Sequence, residues 1–315
     1  MADIPVPPSP SFLKKWGTRL MVMVGVMTTI FVVLAVVGLA SKKHQTSEKG
    51  NVAHVKLQGV IVSTSERSAW FDDPGVVSAD EILETLEEIA KDPHIKGILF
   101  EINSPGGTPV ASQDIAEAVH ALKIPTVAWI REVGASGAYW VASACSRIVA
   151  SPLSITGSIG VLANNFGFED ALQAFHIRYR RQVAGSMKDI GDPFRAPTEN
   201  ETQYLQHVLD QIHQKFIQEV GINRKFDGDW AKDVANGVFF TGEDALAHKL
   251  VDQLGSKKEA LEWLRHTLKE PIELVDFDNA SPLLKWLHGE VRVLAQEFVN
   301  AVGVCLLRSQ PTIRT

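Results

Sequence analysis

The alternation of apolar and polar positions predicts that most of the chain forms a sheet covered by helices. Short apolar runs typical of buried strands occupy residues 52–62 and 95–102. Between them, the apolar spacing indicates an amphipathic helix that begins with a capping box, Ser78 to Glu81, and ends near Lys91. This order of strand, helix and strand builds a parallel sheet, so we expect the fold class to be α/β.

The same pattern continues along the chain as far as residue 277. The further predicted strands are residues 125–130, 147–150, 177–183, 250–251 and 272–277, the last of them at a sheet edge. The further predicted helices are residues 110–122, residues 168–175, a long helix capped by Thr198 and Glu201, a short helix capped at Thr241, and residues 256–268. The long helix carries an apolar stripe from Leu205 to Val220, and we expect most of this stripe to be core.

Three loops that contain glycine interrupt this pattern, at Gly106, Gly137 and Gly157. Each follows or precedes one of the successive parallel strands, and the corresponding ends of parallel strands meet at one edge of a sheet. We therefore expect the three loops to lie together and to form a site at that edge.

Ser136 is the candidate nucleophile of this site. It stands where the strand 125–130 breaks at Gly134 and a helix of small residues begins. A serine in such a turn exposes its hydroxyl beside unpaired helical N–H groups, which suits attack on a carbonyl and stabilisation of the oxyanion. The alternative is a helix N-cap serine packed among small residues, because Ala138 stands where a full G-x-S-x-G motif has glycine.

An apolar run of 21 residues without a charge, residues 20–40, lies between basic residues near the N-terminus. Its length suits a membrane-spanning helix and exceeds the usual core of a cleaved signal peptide, while a buried core helix is the remaining alternative. The basic residues before it slightly outnumber those after it, which favours a cytoplasmic N-terminus. The predicted organisation is an N-terminal segment 1–19, an anchor 20–40, a linker 41–50, a soluble domain 51–270 and an apolar or amphipathic extension 271–315.

Composition narrows the functional classes. The net charge is −6 and no basic patch with interleaved aromatic residues stands out, which argues against a general nucleic-acid binder. The two cysteines, Cys145 and Cys305, lack metal-site spacing, and Cys145 is expected in the core. The ten histidines form no recognisable signature, so a serine–histidine–aspartate triad is unsupported. The extension 271–315 has three candidate contacts, namely the domain, a partner subunit and the membrane surface.

Five short motifs, through their order and spacing, resemble the signal peptide peptidase A (SppA) family of membrane-anchored serine proteases, in its short form with one copy of each motif. They are Asn-Ser-Pro-Gly-Gly at 103–107, Gly-Ala-Ser-Gly-Ala-Tyr at 134–139, Thr-Gly-Ser-Ile-Gly-Val at 156–161, Met-Lys-Asp-Ile at 187–190 and Phe-Thr-Gly at 240–242. The resemblance covers roughly residues 52–255. It implies a Clp protease/crotonase-like spiral of β-β-α units, preceded by one transmembrane helix.

The resemblance also implies a serine–lysine dyad, in which Ser136 is the nucleophile and Lys188 the general base. Histidine, metal and cofactor are then not needed. Ser158 matches the serine that orients the lysine, and the N–H groups of Gly107 and Gly137 would form the oxyanion hole. A lysine base must be uncharged, so Lys188 would have to be desolvated, with a pKa well below its usual value. From the residues alone, Lys188 is a solvated loop lysine, Ser158 a turn hydroxyl and Gly107 a turn glycine.

The function that the resemblance implies is degradation of remnant signal peptides by an endopeptidase anchored in a bacterial cytoplasmic (inner) membrane, with its catalytic domain on the extracytoplasmic side. One copy of each motif implies a homo-oligomeric ring or dome in which Ser136 of one chain meets Lys188 of a neighbour. The expected partners are signal peptides and other peptides, membrane lipid around residues 20–40 and further copies of the chain, without nucleic acid. Asp189 and Asp192 are expected to order their loop. The alternatives are a crotonase-like acyl-CoA enzyme and a non-catalytic membrane scaffold.

Overall fold

A mostly parallel sheet of eight strands forms the centre of the described chain. The computed structural model describes residues 50–64 and 75–277, together with Gly25, and the two long ranges lie within one unit, residues 48–278. The strands are β1 (Val52–Gln58), β2 (Val60–Val62), β3 (Val76–Ser78), β4 (Gly97–Ser104), β5 (Thr126–Ala135), β6 (Arg147–Ala150), β7 (Ile155–Gly157), β8 (Phe239–Thr241), β9 (Gln253–Leu254) and β10 (Leu274–Asp276). The main sheet has the order β10-β1-β4-β5-β6-β9, with β7 beside β5 and β8 antiparallel to β7, while β2 and β3 form a separate pair.

Helices cover both faces of this sheet. They are α1 (Ala79–Lys91), α2 (Pro109–Ala121), α3 (Gly137–Ser143), α4 (Glu169–Ala174), α5 (Glu199–Arg224), α6 (Ala231–Val234), α7 (Gly242–Ala247) and α8 (Lys257–Leu268). The helices α1, α2 and α3 share the larger apolar core with one face, whereas Ala260 and Leu264 of α8 pack with Leu99 and Val127 on the other. Because both faces are covered, β4 is buried along almost its whole length.

Most of the predicted elements are confirmed, with small shifts at their ends. The strand predicted at 147–150 is β6, and the edge strand predicted at 272–277 is the three-residue β10. The long helix α5 begins after Thr198, whose capping box with Glu201 is formed by reciprocal hydrogen bonds. Cys145 is buried, as expected. The parallel order of the central strands confirms the α/β class.

Two predicted strands are wrong. Residues 177–183 form no strand, because they are exposed and no described strand pairs with their backbone. Residues 250–251 are buried, but both of their N–H groups donate to the carbonyl of Ala245, at 2.8 and 3.2 Å. These bonds make a turn after α7, so the strand β9 begins only at Gln253.

The strand predicted at 125–130 is longer than expected. It is β5, which continues as far as Ala135, because Gly134 pairs with Ser104 of β4 and with Thr156 of β7. The extra length brings the ends of three strands beside the turn that follows.

Two features of the predicted helices are also corrected. The helix after Ser78 is α1, but the predicted capping box is wrong, because the Ser78 side chain makes no capping hydrogen bond. Ser78 is the buried last residue of β3. The apolar stripe of α5 is core only in its C-terminal half, where Phe216 and Val220 are buried, whereas Leu205 is 36% exposed. The described part of the chain therefore leaves the N-terminal half of the stripe partly exposed.

Within the described residues, no helix combines the length and the apolar character that crossing a membrane requires. The predicted anchor 20–40, apart from Gly25, lies outside these residues. The described residues also exclude three other predicted segments. These are the N-terminal segment 1–19, the linker except for its last residue, and the part of the extension from residue 278 onward.

Candidate active site

Ser136 occupies the tight turn between β5 and α3, in a backbone conformation that residues other than glycine rarely adopt. Its φ is 53° and its ψ is −126°, and such strained conformations concentrate at functional sites. The Ser136 N–H donates to the Gly157 carbonyl at 2.8 Å, and the Trp140 N–H donates to the Ser136 carbonyl at 3.0 Å. The Ser136 side chain makes no capping hydrogen bond. Ser136 thus stands at the N-cap position of α3, as the alternative expected, but its hydroxyl does not cap the helix.

The loop of Gly107 packs directly against the start of α3. A Cβ atom on Gly107 would lie 1.9 Å from the Ile61 carbonyl oxygen, and one on Gly137 would lie 2.1 Å from Ser112 Oγ. The backbone contact excludes a side chain at Gly107, and a side chain at Gly137 would have to displace Ser112. The Cβ position of Gly137 is 3.2 Å from the Gly107 nitrogen, so the two glycine backbones are in contact next to Ser136.

The N–H groups of these two glycines are not used by the neighbouring strand and helix. Ile61 of β2 bonds the residues on either side of Gly107, through the Gly106 carbonyl and the Thr108 N–H, both at 2.9 Å. The N–H of Gly107 therefore points away from β2. The N–H of Gly137 is the first of α3, where no preceding helical turn supplies an acceptor. Two such donors beside a hydroxyl have the chemistry of an oxyanion hole.

Ser158 belongs to the third glycine loop, directly after β7. It also has a positive φ, of 52°, and its N–H donates to the Val238 carbonyl at 2.8 Å. Its hydroxyl lies 3.4 Å from the Gly237 carbonyl oxygen, a distance typical of a weak hydrogen bond. The residue before Ser158, Gly157, accepts the hydrogen bond from the Ser136 N–H. The prediction that the three glycine loops converge is therefore confirmed.

Four of the five residues predicted for the site line one cavity of about 560 Å³, namely Ser136, Ser158, Gly107 and Gly137. Trp140 and Phe216 form an apolar part of its wall, and their rings are stacked, with centroids 4.4 Å apart and planes 8° from parallel. The cavity thus combines hydroxyl groups and backbone donors with an aromatic surface. This combination suits a peptide that has apolar side chains.

Lys188, the fifth predicted residue, lies on an exposed turn and is not among the described residues that line the cavity. Its neighbour Asp189 accepts hydrogen bonds from Arg181 and Arg195, which hold the pKa of the Asp189 carboxyl well below its usual range. Arg195 also binds Glu201 at the start of α5, with one contact at 2.8 Å. The turn of Lys188 is therefore connected to the N-terminal end of α5.

Carboxylates near Lys188 hold the loop together. Asp192 accepts a hydrogen bond from the Tyr179 hydroxyl. Glu201 accepts from Arg195 and, at 2.7 Å, from the Thr198 N–H, and these bonds lower the pKa of its carboxyl from 4.5 to about 2. The contacts of the two aspartates in this loop are those of ordering residues, in line with the sequence-based expectation.

Sequence reasoning missed the contribution of α5 to the site. Phe216 forms part of the cavity wall, and His213 lines the same cavity. Glu219 accepts a 2.8 Å hydrogen bond from Trp140 Nε1 and a 2.9 Å bond from Gln113. The helical spacing of Phe216 is that of an ordinary core position, and a single histidine or glutamate carries no pattern, so the sequence contained no signal for these roles.

Residues 118–270 match the model of a family described as peptidase family S49. A candidate protease of Synechocystis is 32% identical over 250 residues, which cover 78% of this chain and 85% of that protein. A candidate signal peptide peptidase SppA of Enterococcus faecium is 28% identical over 232 residues, or 71% of this chain and 67% of the relative. A candidate protease of Methanocaldococcus jannaschii is 36% identical over 181 residues, and there the match spans 57% of this chain and only 58% of the relative's length.

Proposed function

This chain belongs to peptidase family S49, with the SppA-type serine proteases, and we propose that it is an endopeptidase that works through Ser136 and Lys188. One observation carries the proposal: the Ser136 hydroxyl is uncommitted in a strained turn, beside the N–H groups of Gly107 and Gly137. A nucleophile next to two backbone donors is the arrangement that acyl transfer needs. The proposed fold is the Clp protease/crotonase-like spiral of β-β-α units.

In the proposed reaction, Ser136 Oγ attacks the carbonyl carbon of the scissile bond while the neutral amine of Lys188 takes the hydroxyl proton. The oxyanion accepts hydrogen bonds from Gly107 and Gly137. The lysine ammonium then gives its proton to the leaving amine, and the C–N bond breaks to leave an ester on Ser136. Water, deprotonated by the same amine, hydrolyses this ester and restores the hydroxyl.

The lysine is proposed to come from a neighbouring chain. Lys188 is exposed on its own chain, whereas the Ser158 hydroxyl lies in the cavity with Ser136. A neighbour's Lys188 that entered this cavity would lose water and would find the Ser158 hydroxyl as a partner. Loss of water favours the uncharged amine, and the hydrogen bond with Ser158 orients it, as a lysine base requires.

Exposed apolar side chains around the Lys188 segment support an assembly of several copies. Phe166 is 78% exposed, Leu162 and Phe175 are 77% exposed, and Ile177 is 57% exposed. A monomeric soluble domain rarely leaves large apolar side chains exposed together in one segment, and such segments mark interfaces. We therefore propose a homo-oligomeric ring or dome in which this segment contacts the next chain.

The proposed substrates are remnant signal peptides and other apolar peptides at the cytoplasmic (inner) membrane of a bacterium. The stacked pair of Trp140 and Phe216 offers an apolar wall to such peptides. Residues 20–40 are proposed to anchor the chain in the lipid, with the catalytic domain on the extracytoplasmic side. The domain organisation proposed from the sequence, with catalysis in residues 51–270, is retained.

The structure favours a peptidase over a crotonase-like acyl-CoA enzyme. That alternative needs carboxylates as acid and base in the cavity, and none of the described residues lining it is aspartate or glutamate. The scaffold alternative leaves the strained conformation of Ser136 without a purpose.

Labelling with a fluorophosphonate probe tests the proposed function. The full-length chain in detergent should be labelled at Ser136 and should cleave an internally quenched apolar peptide. Ser136→Ala should abolish both signals, and Lys188→Ala should slow both at least a hundredfold. The control Lys123→Ala removes an exposed lysine outside this cavity and should match the wild type. Unlabelled wild-type protein, or hydrolysis of an acyl-CoA thioester in place of the peptide, would refute the proposal.

A further inference from the structure

His213 is a titratable side chain in the cavity that the proposed reaction does not use. It lies on α5 and lines the same cavity as Ser136. Its Nε2 atom is 3.1 Å from the carbonyl oxygen of Ile159. An imidazole nitrogen that bonds to a carbonyl must carry the hydrogen, so Nε2 is a donor here. Nε2 in this state has no lone pair to accept the Ser136 proton, so only Nδ1 of a neutral His213 could act as a base.

The acceptor of this bond lies in the wall that carries Ser158. Ile159 stands between Ser158 and Gly160, which both line the cavity, and its own side chain is fully buried. The Ile159 carbonyl also accepts from the Gly237 N–H at 3.1 Å. His213 therefore adds a second, side-chain donor to a loop that the backbone already holds in place.

The helix α5 contacts the opposite wall of the cavity as well. Phe216 stacks on Trp140, and Glu219 accepts from the Trp140 indole nitrogen. Further along, Asn223 Nδ2 donates to Ser143 Oγ at 3.1 Å. These contacts attach α5 to the helix that follows Ser136. The helix α5 thus contacts both walls of the cavity. His213 makes its contact with the wall that carries Ser158.

We propose that His213 is a positioning residue for the peptidase reaction, in which its bond to Ile159 sets the place of the Ser158 hydroxyl. The inference rests on the proposed function. A lysine that enters the cavity must meet Ser136 and Ser158 together, and a displacement of about 1 Å in such a partner can lower turnover about a hundredfold. Because Ile159 keeps its bond from Gly237, we expect loss of the His213 donor to loosen the loop without unfolding the domain.

Three substitutions at position 213 separate a hydrogen-bond donor from a merely space-filling side chain. His213→Leu keeps the volume and removes the donor. His213→Asn keeps a donor that is too short to reach Ile159, and His213→Gln carries an amide N–H at about the reach of Nε2. The control His266→Leu removes an exposed histidine from α8, on the other face of the sheet. Each full-length variant is assayed for kcat, KM, its pH profile and its thermal unfolding.

We expect His213→Leu and His213→Asn to lower kcat roughly tenfold to a hundredfold, with KM within about twofold of the wild type. His213→Gln should recover most of kcat and should keep the shape of the pH profile, and His266→Leu should match the wild type. If His213→Leu fails to fold, the difference in kcat between His213→Asn and His213→Gln still tests whether the donor at position 213 is needed.

Several results would overturn the inference. Wild-type kcat in His213→Asn would show that the bond to Ile159 is irrelevant. Equal losses in His213→Gln and His213→Asn would also contradict a positioning role, and a lost limb of the pH profile in His213→Gln would make the imidazole itself the base. Failure of the proposed function is distinguishable, because the wild type itself would then resist labelling at Ser136 and would not cleave the peptide.

Discussion

Trp140 Nε1 donates a 2.8 Å hydrogen bond to Glu219 Oε2, and this bond fixes the aromatic wall of the cavity. The two residues lie 79 positions apart in the chain. The Trp140 N–H also bonds the Ser136 carbonyl, so the same residue connects the nucleophile turn to α5. Glu219 receives a further 2.8 Å contact from Lys215, which raises the pKa of that lysine.

Glu219→Leu should destabilise the domain, because it leaves the buried indole N–H of Trp140 without its acceptor. We expect the free energy of unfolding to fall by about 1–3 kcal/mol. Glu219→Gln keeps an acceptor oxygen and should lose less. The matched control is Glu262→Leu on α8, where the carboxylate is 44% exposed and only 3.8 Å from Lys258. Denaturant unfolding measures the free energy of unfolding of all three variants. Equal losses in Glu219→Leu and Glu262→Leu would contradict the role of Glu219 as the acceptor for Trp140.

Replacement of Ser136 by glycine should remove strain from its turn. The φ of 53° with a ψ of −126° is accessible to glycine and strained for alanine or serine. Ser136→Gly should therefore be about 1 kcal/mol more stable than Ser136→Ala, while both are inactive. Thermal unfolding of the two variants checks this difference. A less stable glycine variant would mean that the turn stores no strain.

Mixing inactive variants should restore activity if Lys188 acts on a neighbour's Ser136. Ser136→Ala and Lys188→Ala chains, each inactive alone, would pair an intact serine with an intact lysine at some of the subunit boundaries. Co-assembly should therefore recover part of the wild-type turnover. Subunit exchange is verified with two affinity tags on the two chains. No recovery despite confirmed exchange would assign both residues of the dyad to one chain.

Low pH should weaken the ion pairs of Arg195 that connect the Lys188 turn to α5. The pKa of Glu201 is lowered from 4.5 to about 2, first by its bond to Arg195 and then by its bond to the Thr198 N–H. A carboxyl with a lowered pKa stabilises the fold above its unfolded value of 4.5, and this contribution is lost as the pH falls from 4.5 through about 2. The pKa of the Asp189 carboxyl is lowered as well, so its contribution to stability is also lost in acid.

The pH dependence of thermal unfolding measures this effect. Wild-type stability should decline between about pH 4.5 and pH 2 more steeply than that of Glu201→Gln, which cannot ionise at this position. Glu199→Gln, on the same helical turn but outside the Arg195 contacts, should follow the wild type. Parallel curves for the wild type and Glu201→Gln would contradict the assigned contribution of Arg195.

Local sequence patterns were sufficient to predict the elements whose formation depends on neighbouring residues. The capping box of Thr198 and Glu201, the strand at 147–150 and the turn at Ser136 follow from residues within a few positions of each other. The convergence of the glycine loops could also be predicted, since parallel strands end at the same edge of a sheet.

Which of these elements are buried, and which residues meet, depends on how the elements pack together. The apolar stripe of α5 is uniform in the sequence, yet Phe216 is buried against Trp140, whereas Leu205 is 36% exposed. The bond between His213 and Ile159 joins residues 54 positions apart. No spacing rule relates such positions, because contact across a fold depends on how separate elements pack, whereas local patterns reflect only the geometry within one element.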